Sequence, residues 1–504
     1  MRKNARVKAG LSAVLILSML TTACGSKNAA SGVPEDGKPL PVSIMSMYFT
    51  PEPPDAENVV LKEIEKRTNT DLNITWVSPN SYGDKVNVTL ASGDIPDLML
   101  VDDPFSAQMR TMVQQGAFWD LTPFIKDYPN LAGFPEETWI NTKQADGNNY
   151  GIPRVRPVDG GSFLFLRQDW LDNLKLDVPQ TTDEFYEVLR AFTEDDPDGN
   201  GKDDTIGFTG YVSQSNMGSY STLVNAFTGT TGDWKETDGK LTNVNLLPEM
   251  RDALEWLQNA YKDGLISEDL AVLKESQTKD QLKAGHAGAS QNTVEAAWEP
   301  MEEQLKTNPD ADFLPLVSMN GYVNRDSGFF CMFVIPKSVP EAKMKKLLEL
   351  MDYGASEEGG TLASYGLEGV HYTEENGIKT TTEQAKTDIV AQQALGQIFM
   401  PYDKYQRAYR VGMPQDILER NKKIIDERAA ISIPDKAVGL YSETNVSAGP
   451  ELSKEIQDMK TKVVLGKQSL SAWDDYVAKL KTNADLQKIT GELNEAYAQR
   501  KASK

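Results

Sequence analysis

Pro41-Val42-Ser43-Ile44-Met45-Ser46-Met47-Tyr48 opens the stretch that decides the fold, and Leu98-Met99-Leu100-Val101 closes it. The first segment reads as a strand. Asp55 to Arg67 then reads as a helix with Val59, Val60 and Ile64 on one face. In Leu72-Asn73-Ile74-Thr75-Trp76-Val77, Leu72, Ile74 and Trp76 alternate with Asn73, Thr75 and Val77, the period of two that a strand imposes. A second helix-like stretch leads to the turn Ser92-Gly93-Asp94-Ile95-Pro96-Asp97. Behind it Leu98–Val101 is continuously apolar, as strands buried on both faces are. This β-α-β-α-β alternation predicts an α/β lobe with a mainly parallel sheet.

The rhythm continues outward. Thr181-Thr182-Asp183-Glu184 is a capping box, opening a helix whose core face is Phe185, Val188, Leu189 and Phe192. Pro248 opens a longer helix with Met250, Ala253, Leu254, Leu257, Ala260 and Tyr261 on one stripe and Gly264 as its stop. Gly328 to Ile335 is apolar and β-forming. Pro340 starts a helix with Met344, Leu347, Leu348 and Met351 inward. No internal repeat interrupts this pattern.

Upstream, Arg2, Lys3, Arg6 and Lys8 precede an apolar run from Ala9 to Leu20. That run is shorter than the ~20 apolar residues a spanning helix needs, and it fits the core of a secretory signal peptide. Leu20-Thr21-Thr22-Ala23-Cys24-Gly25 resembles a bacterial lipobox, with Thr21 in the place where the leucine usually stands. Residues 1–23 are therefore expected as signal peptide and Cys24 as the lipidated residue, with a flexible tether to residue 40. The only other cysteine is Cys331, so no intramolecular bridge is expected.

Acids outnumber bases, 74 to 52, for a net charge of -22. Four of the bases and none of the acids lie in residues 1–23, so processing deepens the charge to -26. Such a surface argues against nucleic acid as a partner. Enzyme motifs are sparse: two distant histidines, His286 and His371, no HExxH, no GxSxG and no phosphate-binding GxxxxGK[ST].

Several segments resemble extracellular solute-binding proteins of carbohydrate ABC importers, and most nearly the lipoprotein branch that includes alginate-binding proteins. They are Ala91-Ser92-Gly93-Asp94-Ile95-Pro96-Asp97, Tyr150-Gly151-Ile152-Pro153, Leu166-Arg167-Gln168-Asp169-Trp170-Leu171, and Glu357-Glu358-Gly359 through Tyr365-Gly366-Leu367-Glu368-Gly369. The resemblance implies a two-lobed periplasmic-binding-protein-like fold of type II, with interleaved lobes joined by a hinge. One lobe is expected from residues 41–157 with 333–395, the other from 158–332 with 396–504. The crossovers are expected near 155–163, 326–334 and 395. The resemblance also implies a monomer that is not an enzyme, held on the extracytoplasmic face of the cell membrane, with an oligosaccharide ligand and ABC permease subunits as partners. A secreted enzyme acting on polysaccharide and a peptide-binding importer subunit are the alternatives.

Asp196-Pro197-Asp198-Gly199-Asn200-Gly201-Lys202-Asp203-Asp204 has the alternating oxygen ligands of a calcium loop, with Gly201 at position six. Asp196, Asp198, Asn200 and Asp204 would supply side chains and Lys202 its carbonyl. Position twelve is Gly207, where an EF-hand has glutamate. Alginate-binding relatives carry a loop of similar pattern, implying structural Ca²⁺; a solvated acidic turn is the alternative. A sugar site needs aromatic platforms and planar polar groups. Candidate ligand contacts are Tyr48, Asp102 and Asp103 at strand ends, Asn292 and Trp298 after a strand, and Trp234 in a polar loop. For each tryptophan, core packing competes with ligand contact. Trp76 and Trp256 read as structural, and Trp170 as either. Arg154 and Arg325, near predicted crossovers, are candidates for hydroxyls or a carboxylate, or for hinge salt bridges.

Overall fold

The computed structural model describes residues 32–34, 37–50, 52–375, 378–389, 392–410 and 412–502. Cys24, the expected signal peptide and most of the expected tether lie outside these residues. Nine strands form the two principal sheets: β1 Leu40–Met47, β2 Thr70–Val77, β3 Leu98–Val101, β4 Gly151–Val155, β5 Phe163–Arg167, β6 Ile206–Phe208, β7 Ala287–Asn292, β8 Phe313–Pro315 and β9 Phe329–Val334.

The first sheet has the order β2-β1-β3-β9-β4. Its early strands pair in parallel, Ile44 with Ile74 and Ile44 with Leu98. β9 runs against its neighbours, Met332 opposite Val101 and Pro153. The second sheet has the order β8-β5-β7-β6. Only β6 and β7 pair in parallel there; β5 runs antiparallel to both β7 and β8. The mainly parallel expectation therefore holds for β1–β3 and fails in the second sheet, where the chain enters β5 directly from the first sheet rather than through a crossover helix.

Local signals explain most elements. Thr181 accepts from the Glu184 N–H and Glu184 reaches back to the Thr181 N–H, closing the expected capping box of helix Thr182–Glu194. Phe185, Val188, Leu189 and Phe192 are buried beneath it. Helix Pro248–Lys262 buries the expected Met250, Ala253, Leu254, Leu257 and Ala260 and adds Trp256, while Tyr261 is only half-buried. The first helix differs in phase. Asn58 caps it, accepting from the Val60 and Leu61 N–H groups, so it starts at Val59 and turns Val60, Leu61 and Ile64 inward. Val59, expected inside, is exposed.

Each sheet anchors its own core. One unites β1–β4 with the helices after β9, through Leu347, Leu348, Leu395 and Phe399. The other joins Leu164, Trp170 and Leu254 to the C-terminal helices Glu443–Val464, Leu470–Lys481 and Ala484–Ala502 through Ile456, Trp473 and Leu493. The chain passes between the sheets at 156–162 and 326–328, and from Phe399 of the first core to Ala408 of a smaller cluster under β5 and β8. Arg156 N–H donates to Gly328 O and Asp326 N–H to Val158 O, tying the first two crossings together. Gly161 lets the chain approach closely there: a Cβ would stand 2.2 Å from Asp326 Oδ2 and force that carboxylate to move.

Candidate functional site

Strand register brings the expected residues to facing sheet edges. β1 and β3 end in parallel, and β9 begins beside the ends of β3 and β4. Tyr48, Phe49, Asp102, Asp103, Arg154, Arg156 and Phe330 therefore gather on one edge of the first sheet, beyond the carboxyl ends of its parallel strands, where ligands of open α/β sheets bind. Tyr48 is half-buried and ties to β2 through its N–H to Val77 O. Asp102 and Asp103 are exposed; the Asp103 carboxylate accepts from the Phe105 N–H. Two rings stand open: Phe49 is 56% and Phe330 47% exposed.

Arg154 is 3% exposed. Its Nε donates to Gln397 O at 3.2 Å and its Nη2 to Gln397 Oε1, while Nη1 is buried with no hydrogen-bond partner among the described residues. Arg156, two residues on and on the same face of the extended chain, is half-buried and donates to Met400 Sδ at 3.3 Å. Both guanidiniums flank Phe330, at 5.4 and 5.9 Å from its centroid. Burial, reinforced by Arg156 and Arg407, pushes the Arg154 pKa down to about 9. Burial and Arg407 push Arg156 down to about 10. Arg325 is placed differently: its Nε lies 2.8 Å from Glu137 Oε2 in helix Glu136–Asn141, an ion pair between the two crossings and the first lobe.

The opposite edge comes from β5 and β7, whose pairing sets Phe163 beside Asn292. A cavity of about 730 Å³, continuous with solvent, opens there between Ser162, Tyr211, Ser219, Gln291, Asn292 and Arg407. Asn292 is half-buried and its Oδ1 accepts from the Thr293 N–H. Glu295 follows, its carboxyl raised by burial and lowered in part by Arg407.

A family model described as bacterial extracellular solute-binding protein matches residues 50–361. The chain belongs to that family. It is 32% identical to lipoprotein LipO of Bacillus subtilis over 96% of its own length and 97% of the relative's. It is also 32% identical to the polygalacturonan/rhamnogalacturonan-binding protein YtcQ of that organism, over 97% and 98%. Among solved structures, it superposes with a TM-score of 0.72 and 22% identity on an HMO-binding, ABC-transporter-associated solute-binding protein of Bifidobacterium longum infantis, covering 92% of this chain and 99% of that one. Alginate-binding protein AlgQ2 gives 0.64 and 22%, covering 93% and 99%. The two-lobed periplasmic-binding-protein-like fold follows, and among the described residues no helix is long and apolar enough to cross a membrane.

Within this solute-binding fold two expected platforms are packed. Trp234 does not sit in a loop: it begins strand Trp234–Thr237, pairs with Asn243 and is buried in the second core. Trp298 begins helix Trp298–Gln304 and is 5% exposed among Val294, Met301 and Met413. Trp170 is fully buried against Phe192, with centroids 5.2 Å apart. Phe49, Phe330, Arg156 and Arg407 were not anticipated. Phe330 lay inside a run read only as apolar and β-forming, and Arg156 carried a signal in its two-residue spacing from Arg154.

The acidic loop forms a tight nest. Asp196 Oδ1 and Oδ2 accept from the Asn200 and Gly201 N–H groups. The Asn200 side-chain NH₂ donates to Asp198 Oδ2 at 2.8 Å and Asp204 Oδ1 at 3.1 Å, standing between two carboxylates where a cation would stand. Its Oδ1 accepts from the Lys202 N–H. An amide rotation would exchange Oδ1 for NH₂ and complete an oxygen donor set. As arranged, no cluster of three or more His, Cys, Asp or Glu poised for a metal occurs among the described residues.

Proposed function

We propose that this protein captures an oligosaccharide between its two lobes and delivers it to the membrane permease of an ABC importer. The carrying observation is the pairing of edges: open rings Phe49 and Phe330 on one, amides and hydroxyls of Asn292, Gln291 and Ser219 around a cavity on the other. Sugar rings need such C–H-stacking faces and directional polar partners. Two relatives, one a polygalacturonan/rhamnogalacturonan-binding protein and the other a lipoprotein, support the same reading.

In this proposal one lobe comprises residues 40–155 with 329–399 and the other 163–325 with 408–502, close to the boundaries expected from sequence but with the third crossing some ten residues later. Closure about the three crossings buries the sugar. The ligand shifts the open–closed balance by its differential affinity for the closed form. ATP hydrolysis belongs to separate subunits. The protein acts as a monomer and binds rather than cleaves; His286 is exposed in the second lobe and His371 buried in the first, far from acting together. Of the candidate contacts, Tyr48, Asp102, Asp103, Arg154 and Asn292 stay in this reading. Arg325 becomes a hinge ion pair, and Trp234 and Trp298 become packing residues. Cys24 carries the lipid that holds the chain to the membrane, and the 196–204 loop holds a structural calcium.

The test is incubation of the purified chain with oligosaccharides of defined composition, followed by calorimetry, small-angle scattering and chromatography of the recovered sugar. Saturable binding, a smaller radius of gyration and intact sugar are expected. Shortened sugar would overturn the reading in favour of an enzyme. For the anchor, Cys24→Ala should move the protein from the membrane fraction to the medium, and full retention would count against lipidation.

A further inference from the structure

From Arg154 and Arg156 we infer that the oligosaccharide is acidic, and that a carboxylate on one of its rings docks on Arg156 while the ring itself lies on Phe330. This rests on the cleft being the sugar site and narrows what it takes.

The argument begins with desolvation. Arg154 is nearly inaccessible and Arg156 half-buried, yet neither forms an ion pair with a carboxylate among the described residues. Arg154 is held by the backbone and side-chain carbonyls of Gln397, and Arg156 by a thioether. Buried cations are ordinarily paired, because the cost of removing them from water is recovered only by a compensating charge. Here burial is reinforced by like charge: Arg156 and Arg407 act against the charged form of Arg154, and Arg407 against that of Arg156, where Glu295 opposes it more weakly. Arg407 itself is partly matched, with Nη1 3.9 Å from Asp326 Oδ2. Nearby acids Asp326 and Glu295 are both pushed toward their neutral forms by burial. The buried cations without an ion pair among the described residues thus sit on the first-lobe edge, at Arg154 and Arg156, while Asp102 and Asp103 of that edge are exposed to solvent.

A neutral sugar would leave that charge unanswered. A planar carboxylate matches the guanidinium fork in geometry as well as sign. Phe330 supplies the second observation. An apolar ring left 47% exposed between two guanidiniums offers a C–H platform with cationic groups at its margin. That is the layout a hexuronate needs, with its apolar ring face and its carboxylate at the ring's edge. Arg154, beneath Arg156 and closed to solvent, is a positioning residue: it fixes Phe330 and raises the local positive potential.

The test compares oligogalacturonate, its fully methyl-esterified form, a neutral galacto-oligosaccharide of equal length and a sulfated oligosaccharide, by calorimetry on the full mature chain. Charge-assisted hydrogen bonds to Arg156 predict that the acid binds roughly 10- to 100-fold tighter than its ester, and that added salt narrows the gap. Arg156→Gln should reduce the acid-to-ester preference to about one. Arg156→Lys, keeping charge without the fork, should retain part of it. Equal affinity for acid and ester, or an unchanged preference in Arg156→Gln, would overturn the inference. So would preference for the sulfated sugar over the carboxylated one. Tight binding of the neutral sugar alone would sink the acidic-ligand inference while leaving the oligosaccharide reading intact; failure of all four sugars would remove both. Unchanged thermal melting of each variant separates lost recognition from lost folding.

Discussion

The two edges of the cleft are built from opposite materials. The first-lobe edge shows open rings, Phe49 and Phe330, beside buried guanidiniums that form no ion pair among the described residues, with the carboxylates of Asp102 and Asp103 exposed to solvent. The second-lobe edge shows amides and hydroxyls around a cavity, while its large aromatics, Trp170, Trp234 and Trp298, are turned into cores. The difference follows from strand direction. In the first sheet three parallel strands and the start of β9 deliver chain ends to one edge, so side chains there are released from packing. In the second, β7 ends beside the start of antiparallel β5 and is followed by a short helix, and the residues after Asn292 are drawn back under the sheet. One edge is thereby suited to stacking and charge, the other to directional hydrogen bonds.

The largest effect should come from Trp298→Ala. A large aromatic removed from a close-packed cluster typically costs ~3–5 kcal/mol, and Trp298 is buried with Val294, Met301 and Met413. Melting of the variant should shift down by several degrees, while oligosaccharide affinity measured well below the transition stays within about threefold. Lost affinity with unchanged melting would break the comparison, because the second edge would then own a stacking platform.

The acidic loop sharpens it from another side, since the loop belongs to the second lobe but lies away from the cleft edge, near His286 and Asn308. A ligand present at about 100 times its Kd stabilises the folded state by ~2.7 kcal/mol. Chelation of the purified protein should cost stability of that order and lower the melting temperature by several degrees, with sugar affinity little changed. Asp198→Ala should melt at the chelated temperature and ignore added calcium. Equal melting with and without chelator, and no calcium by elemental analysis, would leave the Asn200 amide as the group that satisfies Asp198 and Asp204.

Much of this architecture was legible in the sequence, and the failures are informative. β1, β2 and β3 were readable because alternation and a continuous apolar run report burial directly. The Thr181–Glu184 box was readable because a cap is a local device. Val59 was misplaced because the cap at Asn58, which sets the phase of the helix, was overlooked. Trp234 was misread because Gly and Thr neighbours suggest a loop, whereas its burial depends on Asn243 and on the C-terminal helix, where Asn494 bonds to Leu241 across the chain. Arg154 was noticed by its position but Arg156 was not, although a two-residue step puts both on one face. Phe330 could not be seen at all: nothing local marks which ring of an apolar strand falls at the irregularity between the paired residues Phe329 and Met332.

Phe330→Ala is the smallest of these changes in stability and the most direct on the comparison. The ring is half outside already, so truncation forfeits little buried area, and the loss of stability should stay near 1 kcal/mol or less. The effect on binding should be larger. Stacking of a planar ligand face on an aromatic is worth ~1–3 kcal/mol in nucleic-acid sites, and the lower end of that range is already close to a tenfold change in Kd. Two consequences separate stacking from a general loosening of the edge. Phe330→Tyr keeps the ring and should keep the affinity, and Phe330→Leu, apolar but without a flat face, should lose most of it. If alanine and leucine both bind as the unaltered protein does, the ring is not the platform. Phe49, at the end of β1, would then be the only open ring left among those named on this edge, and the stacking role would pass to it.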